Sequence, residues 1–244
     1  MPHRFFALAD QGQRRSSNQD NAAAISLPAG FTLLIVADGV GGAGGGETAS
    51  EETVNAIVAS MWAEEITNPV DALHKAAMEA NTRVRELQKT DARLSHMATT
   101  LVAALIHGDQ AWIYNVGDSR AYKCANGTLD HVTQDDSWVA EQVRQGNLTA
   151  DEASRSPYQN VITKGVGVEE DLPVDRMVHQ RLADGDTLLL CSDGLYRAVT
   201  PEKIVQAFAS EPTVEDAGKK LVELANAAGG PDNISVAIYH HDSS

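Results

Sequence analysis

The sequence predicts an α+β fold in four layers, αββα: a central antiparallel β-sandwich flanked by helix pairs. Three observations point to it. Apolar runs of strand length recur along the chain, as in residues 31–37 (FTLLIVA), 111–116 (AWIYNV) and 187–192 (TLLLCS), and glycine or a polar turn stops each one. Long helical periodicity falls in residues 47–87 and 201–227, each stretch long enough for two helices. The helices are thus grouped between blocks of strands, an order that does not suit regular βαβ winding and is accommodated by two packed antiparallel sheets.

The strands are expected at residues 4–9, 23–26, 31–37, 99–106, 111–116, 121–124, 187–191 and 234–239. The first helix pair follows the third strand. Residues 47–66 carry Val54, Ile57, Val58, Met61 and Trp62 at helical spacing, and residues 69–87 open on Pro69 and carry Leu73, Ala76, Ala77, Ala80, Val84 and Leu87. The polar stretch 134–167 predicts a short amphipathic helix around 139–144 and a Gly146-Asn147 turn. A second short helix opens at Thr149, with Glu152 three residues on as in a capping box. An excursion of this length between core strands is either filler or a functional lid, and long connections lean toward the lid. The second helix pair, 201–208 and 214–227, ends at Gly229-Gly230 before the last strand. No tandem repeat or low-complexity linker divides the chain, so residues 1–244 are expected to form one domain.

At 43% hydrophobic and 22% charged, the 244 residues can bury a sizeable core. The net charge of −15, from 34 acids and 19 bases, argues against a nucleic-acid binder, which needs a basic stripe. No apolar stretch approaches the roughly 18 residues of a membrane span, and the opening MPHRFFALADQG lacks the apolar core of a signal peptide. Cys124 and Cys191 form no disulfide framework. A cytoplasmic protein with no membrane partner, monomeric, is the expectation.

The three strand-length runs share an ending. They lead into Asp38-Gly39, Gly117-Asp118 and Asp193-Gly194. Asp-Gly and Gly-Asp are common turn dipeptides, so any one of them alone reads as a turn. Together with Asp20 and Asp232 they place five acids near strand ends, at the rim of a core where unpaired charge is costly. Converging carboxylates are tolerated when cations hold them. Oxygen ligands without a His or Cys cluster select Mg²⁺ or Mn²⁺, and the eight histidines are scattered with no HExxH or CxxC. The acids are spread over about two hundred residues, unlike a calcium loop. A two-metal hydrolase is assembled this way, often to attack phosphorus. Arg15 is the candidate to hold phosphoryl oxygens, although an ordinary surface arginine is the commoner reading of such spacing. The glycine run 39–46 (GVGGAGGG) lacks the Lys-Ser/Thr of a nucleotide loop and reads as a tight turn that brings backbone close to the acids.

In order along the chain stand GQRRSSNQD (12–20), VADGVGG (36–42), ATTLVAALI (98–106), VGDSRAY (116–122), QNVITKGVG (159–167), LLLCSDGL (188–195) and GGPDNISV (229–236). These phrases resemble the metal-dependent protein phosphatase family (PPM, type 2C), in particular its compact bacterial serine/threonine phosphatases. The resemblance implies the same β-sandwich between helix pairs and two Mn²⁺ or Mg²⁺ ions per chain. It makes Asp38 the bridge between the ions and the Gly39 carbonyl a further ligand. Asp193 and Asp232 complete the first ion, and Asp20 lies beside the second. Asp118 with Asp193 matches a third ion position, Arg15 holds the phosphate, and Asn233 supports Asp232. Residues 134–167 match the family's variable flap. The implied partners are phosphoserine or phosphothreonine proteins, those of a cognate bacterial kinase, hydrolysed by direct attack of a metal-activated water.

Two positions depart from the family pattern, the milder being Ala98, where glycine is usual. Ala43 stands where bacterial members carry a histidine resembling a general acid, a function typically worth about 10²–10⁴-fold. Three outcomes follow: a metal-bound water protonates the leaving group, a distant histidine such as His96 folds in, or turnover is slow. A catalytically weak or silent phosphoprotein-binding domain is the second reading, and a metal-dependent nuclease, disfavoured by charge, is the third.

Overall fold

The computed structural model describes residues 4–41, 45–63 and 65–242. In chain order the elements are β1 (Phe5–Asp10), β2 (Asp20–Ser26), β3 (Thr32–Val40), α1 (Gly45–Ala63), α2 (Pro69–Thr90), β4 (Ala98–Thr99), β5 (Leu101–His107), β6 (Gln110–Val116), β7 (Arg120–Ala125), β8 (Thr128–His131), α3 (Trp138–Arg144), α4 (Ala150–Ser154), β9 (Met177–Arg181), β10 (Thr187–Cys191), α5 (Asp193–Tyr196), α6 (Pro201–Ser210), α7 (Val214–Ala227) and β11 (Ile234–His240). One sheet has the order β1-β11-β10-β7-β8; the other runs β2-β3-β5-β6-β9, with β4 paired to β3. Every strand pairing described is antiparallel.

Side-chain alternation builds the layers. In β3, Leu33 and Ile35 pack against α1 and α2, in one cluster with Val54, Ile57, Leu73 and Val84. Their neighbours Leu34 and Val36 face the other sheet, where Leu188, Leu190 and Ala237 complete the middle core. On the far side Leu189, Cys191, Val236 and Ile238 meet Ile204, Leu221 and Ala225 of α6 and α7. A strand buried on both faces has no polar alternation, which is why these runs are continuously apolar. Each fully buried Leu or Ile contributes about 1.5–3 kcal/mol. The αββα order is the one the helix grouping predicts, and both cysteines are buried free thiols.

Local signals set the helix starts. Asn68 caps α2 by accepting from the Val70 N–H at 3.0 Å, with Pro69 in the first turn. The five-residue α4 has the predicted capping box: Thr149 Oγ1 accepts from the Glu152 N–H (3.2 Å), and Glu152 Oε2 accepts from the Thr149 N–H (2.8 Å). Among the described residues, no helix is long and apolar enough to cross a membrane.

Candidate active site

The acids come together at one end of the sandwich. Asp20, which opens β2, lies directly opposite Asp38 of β3. The apolar pattern predicts a strand ending at Ala37, yet β3 continues to Val40. Gly39 and Val40 pair with Thr99 and Ala98 of β4, so Asp38 sits inside the ladder rather than after it. Its backbone is pinned there. The N–H donates to Thr100 Oγ1, and the carbonyl accepts from the Thr100 N–H and Thr99 Oγ1, all at 2.9 Å. Thr100 thereby interrupts what the sequence predicts as one strand over 99–106.

Glycine permits the next close approach. A Cβ on Gly39 would lie 2.1 Å from the Gly46 carbonyl oxygen, so the first turn of α1 rests on the β3 backbone. Residues 42–44, including Ala43, lie outside the described residues. Asp118 follows β6 after Gly117, whose φ is +101°. Asp193 opens α5 at the end of β10, and Asp232 precedes β11.

Asn233 fastens the segment that carries Arg15. Buried to 5% exposure, it accepts from the Gln19 N–H at 2.9 Å and donates to the Gln11 and Ser17 carbonyls at 2.8 and 2.9 Å. Arg15 in turn donates to Asp232 Oδ2 at 2.8 Å. The result is a cleft of about 590 Å³ lined by Arg15, Asp38, Gly39, Asp118, Asp193 and Asp232 together with neighbouring residues. Asp20 lies behind it. Its Oδ2 accepts from Ser192 Oγ at 2.6 Å, while its Oδ1 has no partner among the described residues. A second groove of about 940 Å³ opens from the same acids and runs between the α3–α4 segment and α5.

Crowded burial decides the electrostatics. Burial, with Asp193 and Asp232 adding, pushes Asp20 up to about 7 against the relief of the Ser192 hydrogen bond. Asp38 is driven well above the carboxylate range by burial first, then by Asp20, Asp193, Asp118 and Asp232. Burial and Asp193 bring Asp118 to about 7, with Arg197 opposing. Asp193 is raised by burial, most strongly relieved by Arg197, and shares a hydrogen bond with Asp38. Four acids that resist ionising together, with Asp232 beside them and two arginines opposing, form a site in want of positive charge.

Oxygen-only donors, the orphaned Asp20 Oδ1 and the Gly39 backbone lining the cleft fit a hard divalent cation. As they stand, no three acid, imidazole or thiol side chains among the described residues converge on one point. Arg15, Arg197 and Ser192 each hold an acid toward themselves. Among the described residues no histidine lines the acid cleft, and His96 is exposed.

Residues 11–235 match the family described as protein phosphatase 2C. The chain belongs to that family. A serine/threonine phosphatase, stp, from Listeria monocytogenes serotype 4b (strain F2365) is 35% identical over 240 residues, covering 96% of this chain and 94% of the relative. The solved serine/threonine phosphatase of S. agalactiae superposes with a TM-score of 0.90 at 35% identity, covering 97% of this chain and 99% of its own. The catalytic domain of the serine/threonine protein phosphatase PstP, solved with two manganese ions, gives 0.85 at 32% identity, with 98% of each chain covered.

Two contributors, Thr100 and Ser192, carry no signal that composition or periodicity reveals. A third, Arg197, has a weak one. It follows Asp193 by four residues, one helical turn, the spacing at which opposite charges meet.

Proposed function

We propose that this 2C-family chain is a Mn²⁺- or Mg²⁺-dependent serine/threonine protein phosphatase, acting on phosphoproteins of a cognate kinase. The observation that carries the reading is that Asp38, Asp193, Asp232 and Arg15, from separate parts of the chain, line one negatively charged cleft. Asp38, the Gly39 carbonyl, Asp193 and Asp232 would hold two cations, with Asp20 alongside. Such cations supply Lewis acidity that activates water near neutral pH and withdraws charge from phosphoryl oxygens.

The chain's own residues do the rest. Arg15 spends one Nη on Asp232 and keeps further N–H donors for phosphoryl oxygens, which guanidinium matches in pairs. Asp38, fixed by three backbone hydrogen bonds, keeps its carboxylate in one position through turnover. Asp232 holds Arg15 toward the cleft, so ligand and phosphate site are positioned by one contact. Residues 134–167 form the flap over the adjoining groove, within a single catalytic domain spanning 1–244. A cytoplasmic monomer without nucleic-acid or membrane partners accords with the acidic charge.

The decisive experiment offers an aryl phosphate, a phosphothreonine peptide and single-stranded DNA, each with Mn²⁺ and with EDTA. Metal-dependent release of phosphate from the first two is expected. Metal-independent turnover, or none, would overturn the reading, and cleavage of DNA would replace it.

A further inference from the structure

Arg197 sits where the acid cleft meets the flap. Its Nη1 forms an ion pair with Asp193 Oδ2 at 3.1 Å and donates to Asn160 Oδ1; its Nη2 donates to Asp118 Oδ2 at 3.4 Å and to the Gln159 carbonyl at 3.0 Å. Two acceptors belong to the outer acid pair and two to the flap. The side chain is only 31% exposed. The neighbouring Tyr196 reinforces the geometry: its hydroxyl donates to the Asp118 carbonyl at 3.1 Å, and its ring is stacked under the Arg120 guanidinium at 3.7 Å. Arg120 in turn grips Asp135, at the flap's N-terminal root, with Nη2 at 2.7 Å from Oδ2.

We propose that Arg197 is a built-in cation for the Asp118–Asp193 pair and, through the same planar fork, the latch that holds the flap at Gln159–Asn160. The inference rests on the metal-dependent reading of the cleft. A guanidinium and a divalent ion compete for the same two carboxylates. A cation entering between Asp118 and Asp193 displaces Arg197, and with it the two hydrogen bonds to the flap. Outer-cation binding and flap anchoring are therefore linked with opposite sign, and linkage makes the coupling reciprocal. Arg197 acts through the acids and the flap, so it is a positioning residue.

The test uses the full chain as wild type, Arg197→Ala and Arg197→Lys. Mn²⁺ uptake is followed by equilibrium dialysis with metal analysis, and amide exchange is read in residues 156–161 with and without Mn²⁺. Arg197→Ala is expected to take up one more Mn²⁺ per chain than wild type at the same free concentration. Its flap amides are expected to exchange about tenfold faster, metal present or not, because charge-assisted hydrogen bonds are lost. Arg197→Lys keeps the charge without the fork: it should match wild type in Mn²⁺ uptake and the alanine variant in exchange. Equal Mn²⁺ uptake by wild type and Arg197→Ala, or unchanged flap exchange, overturns the proposal. A wild type that takes up no Mn²⁺ while Arg197→Ala still frees the flap would instead sink the metal-dependent reading and leave the latch standing.

Discussion

Arg15 shows how an ion pair can matter for chemistry and little for folding. Its side chain is 49% exposed and meets Asp232 at 2.8 Å. An exposed pair of this kind contributes at most about 1 kcal/mol. Arg15→Ala is therefore expected to leave the denaturation midpoint within about 0.5 kcal/mol of wild type. The same change should lower kcat/KM on a phosphopeptide by on the order of 10²-fold, the usual scale for losing one preorganised charge donor. Lysine should recover only part, since an ammonium is a point charge without the fork. Paired urea titrations and steady-state kinetics check both halves; a fallen midpoint with an intact rate would make Arg15 a structural residue. Asn233 is the contrast. It is buried, and its amide joins three backbone groups.

At the scale of elements, close backbone approach positions the acids. Gly194, in the first turn of α5, has the Asn233 carbonyl oxygen 1.9 Å from where a Cβ would be. Alanine favours a helix over glycine by about 1 kcal/mol, but overpacking against fixed backbone costs about 1–3 kcal/mol, and it wins. Gly194→Ala is expected to destabilise by about 2 kcal/mol and to suppress activity, because it parts Asp193 from Asp232. An unchanged urea midpoint with full activity would refute the close-approach account. The same scale explains what could be read in advance. β3, β5, β6, β10 and β11 are legible because they are buried on both faces, and their apolar runs are unbroken. β8 (TLDH) and β9 (MVHQR) are not, because they are edge strands exposed along much of their length. The acids were legible through their strand-end spacing and family phrases. Arg197 and Ser192 were not, since what they do depends on which loops the fold brings beside them.

For the whole molecule, the acid cluster carries a cost and a means of offsetting it. Carboxylates withdrawn from water disfavour the folded state when charged, and a cation bound only to that state restores stability by mass action. At about one hundred times its dissociation constant such a ligand adds roughly 2.7 kcal/mol. In a chain of this length that corresponds to a rise in Tm of roughly 5–10 °C. Mn²⁺ should produce that rise, EDTA should reverse it, and Asp38→Asn should abolish it. A Tm indifferent to Mn²⁺ in calorimetry would remove the cations from the proposed function.

The strand order has a consequence in time. β11, which follows the other ten strands in sequence, lies between β1 and β10, and among the described residues β1 has no other hydrogen-bonded strand neighbour. Arg15 and Asp232 meet across 217 positions of sequence. A ribosome-bound chain that stops short of residue 234 is thus expected to have β1 open to protease and no assembled catalytic cleft, which pulse proteolysis of stalled chains would check; protection of β1 in such a chain would contradict it. Synthesis itself then acts as a safety catch, and no half-made copy can strip phosphate from its surroundings.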